Sequence, residues 1–133
     1  IKLKEQLKIN NENIKNFSDL EKLVSEQFTN IANKAILDTE NIVLTYNRKI
    51  ISAYYHASSG GQTKNSSDVW YRDLPYLKSV PSFDSNIAKN GHGIGMSQHG
   101  ANNLAKQGYN AFQILDHFYN NVHFGKIKPE WNL

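Results

Sequence analysis

Gly91-His92-Gly93-Ile94-Gly95-Met96-Ser97-Gln98-His99-Gly100-Ala101 is the stretch on which the reading of this chain turns. Glycine at 91, 93 and 95 removes the Cβ atom at alternate positions, so the backbone there can take left-handed conformations and approach a ligand or another segment closely. His92, Ser97, Gln98 and His99 supply hydrogen-bond donors and acceptors from the same short arc. Ala101, Leu104 and Ala105 then recur at helical spacing as far as Gly108, where a helix C-terminus favours glycine. The stretch predicts a glycine-rich loop feeding a helix.

Three chemistries compete for that loop. A phosphate-binding loop needs a preceding strand and, in its P-loop form, a Lys-Ser/Thr pair; Asn86-Ile87-Ala88-Lys89-Asn90 is too polar for the strand and no such pair follows. A zinc centre built from His56, His92 and His99 lacks the metalloprotease pattern of two histidines four apart on a helix with an intervening glutamate. A glycine turn whose histidines are ordinary loop or cap residues needs nothing further. The residues call for no metal and no cofactor, and by themselves leave a binding loop and a structural turn both open.

Working upstream, Leu74-Pro75-Tyr76-Leu77 and Val80-Pro81 punctuate a segment that cannot be a long helix or a central strand. Trp70, Tyr71 and Tyr76 lie on this irregular chain, where aromatic faces either stack on sugar rings or bases or plug the side of a small core. Further back, Ile42-Val43-Leu44-Thr45-Tyr46 and Ile50-Ile51-Ser52-Ala53-Tyr54-Tyr55 are rich in β-branched and aromatic residues. Asn47-Arg48-Lys49 between them is short enough for a hairpin turn. The second strand runs into His56-Ala57-Ser58-Ser59-Gly60-Gly61, which brings small polar side chains and bare backbone to a sheet edge. Ser18-Asp19-Leu20-Glu21 has capping-box spacing, and Leu20, Leu23, Val24 and Phe28 predict a helix over about Asp19 to Asn30, with the period shifting toward two from Ile36. Residues 1–17 read as a linker or loosely held segment. Downstream, Asn110 caps a last helix through about Tyr119, with Phe112, Leu115, Phe118 and Tyr119 as its apolar side, and the tail to Leu133 reads as extended or irregular.

The 133 residues, 39% of them hydrophobic, suffice for one domain with a modest core. Fifteen basic against twelve acidic residues give a net charge of +3, a mild excess that suits an anionic partner without selecting one. No basic run marks a nucleic-acid stripe, so no nucleic acid is expected as partner. The absence of cysteine removes disulfides and thiolate metal sites. No apolar run approaches membrane-spanning length, the first residues do not resemble a signal peptide, and Ile1 in place of an initiator methionine suggests part of a longer protein.

The blocks gain meaning from their order. Tyr54-Tyr55-His56-Ala57-Ser58-Ser59-Gly60-Gly61, Asp68-Val69-Trp70, Leu74-Pro75-Tyr76-Leu77-Lys78-Ser79-Val80, the 91–101 stretch, and Gly108-Tyr109 with Ile114-Leu115 together resemble the stage II sporulation protein D family, the SpoIID/LytB domain, over about Ile36 to Val122. The resemblance implies peptidoglycan glycan strands as ligand. The family's sporulation members are lytic transglycosylases acting during engulfment, and its relatives include amidase enhancers. It implies a membrane-anchored, extracytoplasmic, wall-associated parent protein working beside a sporulation amidase and its docking proteins.

A lytic transglycosylase cleaves the β-1,4 bond between N-acetylmuramic acid and N-acetylglucosamine through attack of the muramyl 6-hydroxyl on its own C1, giving a 1,6-anhydro ring. One glutamic acid of raised pKa serves as acid and base. In the family this glutamate lies in an N-terminal block ahead of the region matched here. None of Glu5, Glu12, Glu21, Glu26, Glu40 or Glu130 sits in a matching context, so the catalytic residue is assigned to none of them. The metal-binding Cys/His positions of some members find no cysteine here. The chain looks like the substrate-cradling C-terminal portion of the domain, spanning 18–133, with the N-terminal half as a further expected partner. The resemblance points to Tyr55, His56, Ser58, Ser59, Gly60 and Gly61 from the first block as glycan-holding residues. To these it adds Trp70 or Tyr76 as the stacking ring and His92, Gly93, Ser97 and Gln98 from the glycine loop. The expected fold is α+β, an antiparallel hairpin-based sheet with helices packed on one side and the glycine loop leading into one of them.

Overall fold

A computed structural model describes residues 17–131. The chain divides into two compact units, one ending at Asn41 and the other beginning at Ile42. In the first, helix α1 spans Phe17–Asp38. It starts ahead of Ser18, which places that residue in the first turn rather than at the cap, and it runs well past Asn30. Ala32, Lys34, Ala35 and Leu37 are good helix formers and no glycine or proline interrupts them, so the shift of period at Ile36 does not end the helix. It stops where the Thr39 hydroxyl donates to the Ala35 carbonyl at 2.7 Å and Asn41 turns to a φ of 62°. The reading of residues 1–17 as a linker falls, except for Phe17, outside the described residues.

The second unit is built on a hairpin. β1 (Ile42–Tyr46) pairs antiparallel with β2 (Lys49–Ile50) across Asn47 and Arg48, whose φ values of 50° and 63° make the two-residue turn that matches the right-handed twist of the strands. The second strand is shorter than its β-branched run predicts. After Ile51 donates to Leu44 the chain leaves the sheet, and Tyr55–His56 forms β3, which pairs in parallel with β4 (Met96–Ser97) in a separate two-stranded sheet. The tail is not irregular throughout. β5 (His123–Lys126) pairs antiparallel with β1, giving the strand order β2-β1-β5.

The second unit also contains three helices, α2 (Ser66–Val69), α3 (Gln98–Lys106) and α4 (Ala111–Phe118). Ser97 caps α3 by accepting from the Gly100 amide at 3.0 Å, and Gly108 follows its C-terminus at a φ of 98°. Asn110 caps α4 in a full capping box with Gln113. That helix turns Ile114 and Phe118 into the core and leaves Phe112 exposed, edge-on to Phe124 of β5. The core joins Leu44 and Ile51 of the hairpin to Leu77, Ile94, Leu104, Ile114, Phe118, Tyr119 and Val122. Fully buried side chains such as Phe118 each contribute about 2–3 kcal/mol by leaving water. The architecture is the α+β arrangement the sequence predicts.

Candidate functional site

Asp84 organises the loops around the glycine stretch. Its carboxylate is fully buried and accepts hydrogen bonds from the Ser59 amide at 2.6 Å, the Gly61 amide at 2.8 Å, the Ser82 hydroxyl at 2.5 Å and the Ser97 hydroxyl at 2.6 Å. Burial alone would raise its pKa, but the donors from Ser82, Ser97, Ser59 and Gly61 outweigh that effect and hold it down at about 2. One ionised side chain thus ties the Ser-Ser-Gly-Gly loop, the Pro81–Ser85 segment and the start of α3 together. No motif flagged it in the sequence, because its partners are scattered over nearly forty positions.

His56 is the second fixed point. Its Nδ1 lies 3.1 Å from the Ile94 carbonyl, which can only accept, so Nδ1 carries the proton and Nε2 accepts from the Ser59 hydroxyl. Burial is the main reason the imidazole pKa is lowered; the Ile94 carbonyl opposes the shift and the neighbouring His92 adds to it. His92 is half-buried, and its Nδ1 accepts from the Ile94 amide at 2.9 Å. With these nitrogens engaged and His99 exposed, the three histidines do not converge as a zinc site. Among the described residues no three His, Cys, Asp or Glu side chains form a metal-holding group.

Above this polar floor stands an aromatic cluster. The rings of Tyr54 and Trp70 are 4.8 Å apart, those of Trp70 and His92 are 5.3 Å apart, and those of His56 and His92 are 5.5 Å apart. Trp70 is braced from behind, since its amide donates to the Ser66 carbonyl at 2.8 Å while the buried Ser66 hydroxyl accepts from the Leu74 amide. Tyr54 is held by its own carbonyl, which accepts from the Met96 amide at 3.2 Å and from the core Tyr119 hydroxyl at 2.6 Å. Burial pushes the Tyr119 pKa up to about 12, so the hydroxyl remains a donor. Gly95 makes this possible: at a φ of 77°, a Cβ there would overlap the Tyr54 carbonyl.

The structure separates the sequence-predicted residues into two groups. His56, Ser58, Ser59, Gly93 and Ser97 are buried and shape the loops. Ser58, for example, donates to the Ala88 carbonyl at 2.5 Å. Tyr76 is a core residue, with its ring 5.8 Å from that of Tyr46 and its hydroxyl accepting from the Ser52 amide. That placement leaves Trp70, half-buried and packed against the core, as the ring of the pair that reaches the surface. Tyr55, Gly60 and Gln98 are exposed, Gly61 is half-buried, and Trp70 and His92 are half-buried at the surface. Tyr54, about 41% exposed, joins them although the sequence, which places it at the head of the first resemblance block, assigned it no binding role.

Known proteins share part of this sequence. The chain is 47% identical over 45 residues to an amidase enhancer of Bacillus subtilis (strain 168), which is 34% of this chain and 6% of that protein. It is 42% identical over 48 residues to stage II sporulation protein D of the same strain, and equally to that of Bacillus amyloliquefaciens; each match covers 36% of this chain and 14% of the relative. The shared segments are thus a small part of the relatives' own length. No protein-family profile matches the chain.

Proposed function

We propose, for a chain that carries a segment of the SpoIID/LytB domain family, that residues 42–131 form a wall-glycan-binding module of a peptidoglycan lytic transglycosylase whose catalytic glutamate lies outside the described residues. The supporting observation is the contrast between the aromatic surface and the carboxylates. Tyr54, Trp70 and His92 present rings at the surface over a rigid polar floor, the arrangement that holds sugars by stacking and hydrogen bonds.

A general acid for glycosidic cleavage needs a raised pKa. Asp84 is held in the opposite direction by its four donors, and Glu21, Glu26, Glu40 and Glu130 are exposed. The module therefore cradles the strand, and a glutamate from elsewhere in the whole protein protonates the leaving oxygen while the muramyl 6-hydroxyl attacks C1. The setting is extracytoplasmic and wall-associated, in sporulation engulfment, beside an amidase and its docking proteins. Among the described residues no helix is long and apolar enough to cross a membrane.

The lack of a poised acid among the described residues also favours a second reading, a non-catalytic module that enhances an amidase. Incubation of the chain with purified wall glycan separates these readings. The first predicts co-sedimentation without release of 1,6-anhydro products, and Trp70→Ala binding about fivefold to tenfold more weakly. Anhydro products from the chain alone would overturn the assignment of the acid to another part. Stimulated peptide release by an added amidase, from a chain that needs no glutamate partner, would select the second reading.

A further inference from the structure

We propose that the outward face of the β2-β1-β5 sheet is a second binding surface, which takes carboxylate-bearing sugars of a wall glycan strand; this rests on the glycan-binding reading above. Strand alternation fixes the face. Leu44 and its cross-strand neighbour Phe124 point toward α4 and the core, so Val43, Thr45, His123 and Gly125 lie on the other side. Ile50 opposite Thr45 and Trp131 beyond β5 are each about 51% exposed.

A groove of about 310 Å³ crosses this face over Val43, Thr45 and Gly125, with Trp131 at its side. That size is at the lower end of small-ligand sites. Gly125 leaves its floor bare, and the indole supplies the flat apolar ring on which a pyranose stacks. Arg48 is the charged residue at the rim of the groove on this face; Lys126 borders it beside Gly125 but alternates to the Phe124 side, and among the described residues no carboxylate lines it. Lys128 adds a further cation 5.9 Å from the Trp131 ring centroid. The complement of such a groove is a sugar that carries a negative charge, and Arg48 presents the planar fork that pairs with a carboxylate.

The backbone at Arg48 points the same way. It occupies the second central position of the hairpin turn at a φ of 63°, where glycine is strongly favoured and a long side chain is strained. A residue kept in a strained conformation at the rim of a groove is a sign that its side chain is used. Glycine at this position would relieve the turn and remove the cation together.

The test is binding of the whole 133-residue chain to purified glycan strands freed of their stem peptides, so that the muramyl carboxylates are exposed, before and after those carboxylates are blocked by amidation. Arg48→Gly should unfold at an unchanged or higher temperature yet bind untreated strands about tenfold more weakly. It should match the parent on amidated strands. Trp131→Ala should weaken binding to both. Parent-like binding of untreated strands by Arg48→Gly and Trp131→Ala, with Trp70→Ala impaired, would overturn the second surface and leave the first. The reverse pattern, with only Trp70→Ala binding normally, would overturn the Tyr54–Trp70 surface and leave this one.

Discussion

At the scale of single residues, Asp84 ties the loops of the second unit together. Four donors converge on a carboxylate with no access to water, so the charge is kept by hydrogen bonds instead of solvent. Its pKa falls from an ordinary 3.8 to about 2, a change that corresponds to about 2 kcal/mol of stability. Because the folded value is the lower one, this contribution is complete above about pH 4 and is lost as pH falls through that window toward 2. Urea titrations at pH 7 and pH 3 should show the drop in the parent. Asp84→Asn should start about 3 kcal/mol less stable at pH 7 and lose less between the two pH values. An equal loss in both proteins would mean that other carboxylates govern the acid limb.

At the scale of elements, α3 couples the site to the fold. Ser97 accepts from the Gly100 amide as the helix cap and donates to Asp84 with the same hydroxyl. Ser97→Ala should therefore cost about 2 kcal/mol, the sum of a cap and a buried charged hydrogen bond. Gln98→Ala, one residue on and exposed, should change stability by less than about 0.5 kcal/mol. Thermal unfolding of the two variants checks both figures, and equal shifts would contradict the dual role of Ser97. This element was legible in the sequence because its signals are local: the glycine loop, the helical spacing of Ala101, Leu104 and Ala105, and Gly108 after the end. The Asn110 cap and the Asn47-Arg48 turn were legible for the same reason. β5 was not, since His123-Phe124-Gly125-Lys126 has weak strand propensity and becomes a strand only because β1 offers it a free edge. The separation of Tyr55–His56 from the hairpin was equally hidden, because its partner Met96–Ser97 is supplied from forty residues away.

At the scale of the whole molecule, the second unit is one small core that carries the two proposed binding surfaces on its polar loops and a sheet face. The sequence supplied candidate residues but could not sort the buried ones from the exposed ones. Tyr76 and Trp70 read alike until the fold buried one and left the other half-buried at the surface, and Tyr54 and Asp84 gained their surroundings from contacts distant in sequence. The central claim is that the surface around Trp70 holds wall glycan. Trp70 and Trp131 are the chain's two tryptophans, so Trp131→Phe leaves Trp70 as the lone indole reporter. The most direct measurement is the emission of that variant during titration with glycan oligosaccharides from purified wall. Trp70 emission should change saturably, and less so when Tyr54 is also replaced by alanine. Saturable binding seen by sedimentation, with Trp70 emission unmoved throughout, would contradict it.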